Sequence, residues 1–138
     1  MSDQIKHECG LALVRLLKPL EYYRDKYGTP LYGLNKLQIL LQKQRNRGQD
    51  GAGFASIKLD MNPGERYISR VRSVAQQPIQ DVFGQINQRI NDVLAKNPDC
   101  TNDISKQKKM VPYLGEVMLG HVRYGTFGKN SVERNLRM

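Results

Sequence analysis

Gly120-His121-Val122-Arg123-Tyr124-Gly125-Thr126 follows directly on an apolar run, Tyr113 to Leu119, and the two together decide how the chain is read. The run has the length of a buried strand. An arginine fixed at the end of such a strand, before a glycine-containing turn, can hold a small carboxylate in two parallel hydrogen bonds. The plainer role for an arginine leaving a strand is a surface ion pair. Which of the two applies depends on what else the chain brings to that strand end.

Working backward, the longest periodic segment is a helix. Ile79, Val82, Phe83, Ile86, Ile90, Val93 and Leu94 recur at the 3.6-residue period, Pro78 suits its entry and Pro98 stops it beyond Asn97. Its stripe reads as core packing. Before it, Phe54 to Leu59 and Arg66 to Arg72 both alternate with period two, and Asn62-Pro63-Gly64-Glu65 joins them as a turn. An antiparallel hairpin is expected. Leu34, Leu37, Leu40 and Leu41 make one apolar helical face, with Asn35 as the expected cap and Leu34 and Ile39 as its staple. That helix fails near Asn46, because Gly48, Gly51 and Gly53 follow within a few residues. Cys9 to Leu17 reads as a first buried strand ended by Pro19, and Leu20 to Gly33 as a helical turn and loop. Residues 97–110 are polar and read as flexible. The order strand, helix, strand, strand, helix, strand gives an α+β fold, a layered sheet with helices packed on it.

Composition narrows the class. With 39% hydrophobic and 25% charged residues in 138, the chain is that of one soluble domain with a real core. No apolar run reaches the ~18 residues of a membrane helix, and Met1 to Glu8 lack the apolar centre of a signal peptide. A cytoplasmic protein with no membrane partner is expected. The net charge of +9 raises a nucleic-acid reading. The basic residues at Lys36, Lys43, Arg45, Arg47, Arg66, Arg70, Arg72, Lys106, Lys108 and Lys109 are spread out, without the interleaved aromatics of a base-stacking platform. A solvated basic surface is the reading. Cys9 and Cys100 form no C-x-x-C, and His7 and His121 are far apart, so no metal site is expected. Cys100 lies in a polar stretch and reads as an incidental loop thiol.

Three segments then stand at strand ends: Cys9-Gly10, Arg47-Gly48-Gln49-Asp50-Gly51-Ala52-Gly53, and the 120–126 stretch. Gly51-Ala52-Gly53 lacks the spacing of a phosphate loop, and no helix follows it. In this order the three segments resemble the N-terminal-nucleophile (class II) glutamine amidotransferase domain. That family is marked by a Cys-Gly strand start, an Arg-Gly-x-Asp-x-Ala-Gly turn and a Gly-His-Val-Arg-Tyr-x-Thr segment. The Arg-Gly-Gln-Asp form is most similar to the amidophosphoribosyltransferase branch. Glucosamine-phosphate synthase, asparagine synthetase and glutamate synthase are the other relatives. The resemblance spans about 9–128, with a longer stretch than usual at 18–33.

The resemblance implies an α/β/β/α sandwich of four layers and hydrolysis of glutamine to glutamate and ammonia. Cys9 would be the nucleophile, as a thiolate. Its own α-amino group would be the base, with a pKa near ~8. Residues 1–8 would be a propeptide cut between Glu8 and Cys9, and 9–138 the N-terminal part of the amidotransferase domain. Arg123 would bind the α-carboxylate of glutamine, with Gly125 and Thr126 lining the same pocket. Arg47, Gly48, Asp50 and Gly53 would support the site, Arg47 and Asp50 equally as a structural pair holding the turn. His121 reads as a packed histidine. The glutaminase half-reaction needs no cofactor, and magnesium is expected only with a phosphoribosyltransferase domain. Partners would be glutamine, a second copy or a synthase domain. The family's Asn-Gly oxyanion pair does not occur in these residues, and Leu13 stands where the family often has a glycine. An incomplete sandwich is therefore expected, and a catalytically inactive binding or oligomerisation domain is the alternative.

Overall fold

β4, Val117–Arg123, is the last strand in the chain and one of the two central strands of the sheet. A computed structural model describes residues 9–44 and 50–124. In it β1 (Gly10–Arg15), α1 (Leu20–Tyr27), α2 (Tyr32–Lys43), β2 (Gly51–Ile57), β3 (Ile68–Ser73), α3 (Pro78–Lys96) and α4 (Ile104–Met110) precede β4. The sheet order is β1-β4-β2-β3, antiparallel throughout. The α+β class and the hairpin of β2 and β3 are as the sequence indicates.

Alternation divides the sheet into two different faces. Ala12, Met118, Val122, Ala52, Phe54 and Val71 point to one side and are buried. There α2 covers β1 and β4 with Leu34, Leu37 and Leu41, and α3 covers β2 and β3 with Ile79, Val82, Phe83 and Ile86. Phe54 meets Phe83 edge-on at 5.8 Å between ring centroids, close to the preferred geometry for such pairs. The other face carries Leu11 and Leu13, 67% and 63% exposed, with Ile57 and Ile68 also exposed. Among the described residues no helix packs on that face. The described residues thus make two layers, helices on one side of a sheet. None of their helices is long and apolar enough to cross a membrane.

Several expectations are corrected. α2 starts at Tyr32, and Asn35 is not its cap: its backbone N–H already donates to the Leu31 carbonyl. Thr29 Oγ1 accepts the Leu31 N–H just ahead, after which the chain turns into helix; Ile39, the expected staple, is exposed. Leu20–Tyr27 is a full helix closed by Gly28 in the left-handed conformation, φ 83°. β2 begins at Gly51, so Gly51 and Gly53, read as part of a turn, are strand. The last strand spans 117–123, not 113–119, because Tyr113 takes φ 68° and is held there by its hydroxyl. That hydroxyl donates to the Arg70 carbonyl at 3.2 Å and accepts from Arg89.

The stretch 97–110 is ordered, with a 3-10 turn at Pro98–Cys100 and then α4, capped by the Asp103 carboxylate on the Lys106 N–H. Cys100 is fully buried and its thiol donates to the Asn97 carbonyl, so it is a packed residue rather than a loop thiol. Basic side chains also lie over tyrosine rings. Lys18 and Lys26 lie over Tyr22, and Lys36 over Tyr32. Tyr23, Tyr27 and Tyr32 meanwhile stack on one another, tying α1 to α2.

Candidate functional site

The register fixes what meets at the end of the sheet. Gly10 pairs with Val122 and Ala52 with Val122; Gly51 pairs with Arg123. Carrying the β1–β4 register one residue further sets Cys9 opposite Arg123. Gly10 and Ala12 face the helices and are buried, so Cys9, Arg123 and Gly51 lie in one row on the open face. Cys9 is exposed. Directly opposed residues of antiparallel strands stand ~5 Å apart at Cβ, so the side chains of Cys9 and Arg123 leave the sheet as neighbours on that face. The Asp50 N–H donates to the Arg123 carbonyl at 2.9 Å and carries the β2–β4 ladder past the end of the strand. The arginine backbone is thereby held from β2 at the last rung.

The next row on the same face is Leu11, His121, Gly53 and Arg72. His121 is buried, as expected of a packed histidine. Gly51 and Gly53 present no side chain beside Arg123 and His121. Beyond them, Arg72 is half-buried and its Nε has no hydrogen-bond partner among the described residues.

Glycines on the helix side have a separate reason. A Cβ on Gly120 would run into Leu41 and Leu37, so this position lets α2 lie close on β4. A Cβ on Gly10 would run into the side-chain amide of Gln44. That amide donates from Nε2 to the Leu11 carbonyl at 3.0 Å. Gln44, at the C-cap of α2, thus touches the strand that carries Cys9. Sequence reading passes over Gln44, since nothing in helical periodicity distinguishes it. The one signal for a close approach is Gly10 itself, immediately after Cys9.

Cys9, Gly53 and Arg123 are therefore brought to one end and one side of the sheet, and the Asp50 backbone N–H reaches the same end. Arg47, Gly48, Gly125 and Thr126 lie outside the described residues.

A cavity of about 450 Å³ lies at the opposite end, between the β1–α1 connection, the β2–β3 turn and α4. Its wall includes Lys108 and Glu116, a largely buried ion pair at 2.7 Å. Glu116 also accepts the Leu59 N–H at 2.9 Å, and Lys108 donates to the Leu59 carbonyl. Beside them Lys58 is 6% exposed. Burial, then the charges of Arg66 and Lys108, push its ammonium down to about 8. This cavity shares no residue with the Cys9–Arg123 end.

The chain matches no protein-family model, no curated protein and no solved structure.

Proposed function

We propose that this chain is the nucleophile-bearing part of a class II glutamine amidotransferase, which hydrolyses the side-chain amide of glutamine. The observation that carries the reading is the opposition of Cys9 and Arg123 on neighbouring strands, on one open face. A glutamine whose α-carboxylate sits on the Arg123 guanidinium has its side chain free to extend toward the thiol.

In this reading residues 1–8 are removed, and the α-amine of Cys9 takes the thiol proton. The thiolate attacks the amide carbon; the C–N bond breaks, and the leaving nitrogen takes the proton back and departs as ammonia. Water then hydrolyses the thioester to glutamate. Asp50 and the Arg47–Gly53 segment support the arginine strand. Ammonia passes to an acceptor that, by the Arg-Gly-Gln-Asp form, is phosphoribosyl pyrophosphate, the chemistry of amidophosphoribosyltransferase. The apolar open face with Leu11, Leu13, Ile57 and Ile68 suits a second sheet laid on it, as the four-layer sandwich requires.

The test is exposure to 6-diazo-5-oxo-norleucine followed by intact mass and N-terminal sequencing. One adduct on Cys9, in protein that begins at Cys9, is expected. Protein that begins at Cys9 yet takes no adduct sinks the reading. A second reading, a binding domain of the same fold without catalysis, is favoured by the Glu8–Cys9 peptide bond as encoded, which leaves no free amine. Full retention of residues 1–8 together with absent glutaminase activity would select it.

A further inference from the structure

We propose that Gln44 is a positioning residue for the α-amino group of Cys9: its side-chain oxygen accepts a hydrogen bond from the amine while its Nε2 fastens the strand. The proposal rests on the glutaminase reading given above.

Three observations carry it. The first is that Gln44 has a fixed backbone, because its N–H closes α2 on the Leu41 carbonyl at 3.0 Å. The second is its bond to Leu11, a residue 33 positions away. Among the described residues β1 is an edge strand, and no neighbouring strand serves its outward carbonyls. The Gln44 amide takes that place two residues after Cys9. The third is the seat of the other end of the amide. Oε1 occupies the space a side chain on Gly10 would fill, and the Gln44 Cβ lies 3.3 Å from the same point. The amide therefore spans Gly10, with its donor engaged by Leu11. Its acceptor rests against the residue joined to Cys9, and no group among the described residues donates to it.

Cleavage before Cys9 changes what stands at that point. A peptide nitrogen has one N–H and no basicity. A freed amine brings two N–H groups, and three once it has taken the thiol proton. An acceptor beside it favours the protonated form and fixes the direction of the lone pair. Both effects help an amine that must take a proton from its own thiol near neutral pH. Gly10 then has a purpose beyond strand geometry, since any larger residue would push the amide from its seat.

The experiment measures the rate at which 6-diazo-5-oxo-norleucine alkylates Cys9, as a function of pH, in folded full chain from which residues 1–8 have been removed. Gln44→Met keeps the length and removes both donor and acceptor. Its profile is expected to move to lower pH by about one unit, since the amine loses an acceptor that favours its protonated form. Gln44→Glu supplies a charged acceptor and is expected to move the midpoint to higher pH. Among the described residues, Lys43, Asp50, Arg72, His121 and Arg123 are the charged and titratable groups at that end, and they are the same in every variant. A simple loss of packing would lower both rates without moving the midpoints in opposite directions. Should Gln44→Met fail to fold, Gln44→Glu and Gly10→Ala carry the test, the latter expected to behave as Gln44→Met. A parent protein that is alkylated normally, with variants keeping its midpoint, overturns the role of Gln44 alone. A parent protein that is not alkylated at all overturns the glutaminase reading and this one with it.

Discussion

Gly120 of β4 lies directly beneath Leu41 of α2: a Cβ on the glycine would stand 2.7 Å from Leu41 Cδ1 and 3.2 Å from Leu37 Cδ2. Both leucines are fully buried and have nowhere to retreat. Gly120→Ala is therefore expected to lower stability by ~1–3 kcal/mol, the usual cost of overpacking a core. Urea unfolding of the two proteins measures this. A change of a few tenths would mean that α2 does not lie on β4 as closely as described.

The glutaminase reading makes Arg123 a binding residue more than a chemical one. Arg123→Met should raise KM for glutamine and lower kcat/KM by about 10- to 100-fold, the effect of losing ~1.5–3 kcal/mol of charged hydrogen bonding. Arg123→Lys keeps the charge without the fork and should recover only part of it. Steady-state kinetics with glutamine and with an amide lacking the α-carboxylate would check the assignment. The second substrate should be indifferent to both changes.

The two thiols should separate cleanly. Cys9 is exposed and Cys100 is buried, its thiol donating to Asn97. Under native conditions Ellman's reagent should titrate Cys9 rapidly and Cys100 only as the protein opens. Denaturant should make the two equivalent. Rapid native reaction at Cys100 would contradict the packing of the 3-10 turn against α3.

Lys58 gives the protein a pH-dependent stability on the alkaline side. Its ammonium is held down to about 8 when folded, chiefly by burial, against about 10.4 in an unfolded chain. Between these values the unfolded state binds more protons, so this group makes stability rise with pH from about 8 upward. Below pH 8 the lysine is charged in both states and its cost is complete. Lys58→Met should then raise the melting temperature at pH 7, and the advantage should shrink steadily from pH 8 to pH 10. Melting curves across that range decide it; an advantage that does not vary with pH would trace to packing instead.

The open face of the sheet predicts unusual tolerance. Replacing Leu11 and Leu13 by serine removes two large apolar side chains that are mostly exposed. Stability should stay within about 0.5 kcal/mol per site, as for surface positions, while binding of an apolar fluorescent dye should fall. A large loss of stability would show that this face is covered in solution.

Local pattern was enough wherever a feature depends on neighbours in sequence. The stripe from Ile79 to Ile90 defines α3 and its buried face, and the alternation around Asn62-Pro63-Gly64-Glu65 defines the β2–β3 hairpin. Cys9, Arg123 and the glycines at 51 and 53 could be singled out from motif order, and the fold does bring them to one sheet end. Other features were hidden because their causes lie far along the chain. The polar segment 97–110 forms α4 because Ile104 and Val111 reach a core built by other elements. Gly51 joins a strand because β4 stands ready to pair with it. The seat of Gln44 against Gly10 and Leu11 joins positions whose spacing follows no period. The amino-acid sequence by itself determined which residues prefer helix or strand and which of them could do chemistry. Only the tertiary structure decided which face each strand turns to the helices, since that depends on a cross-strand register in which a slip of one residue would move Cys9 and Arg123 to the buried side.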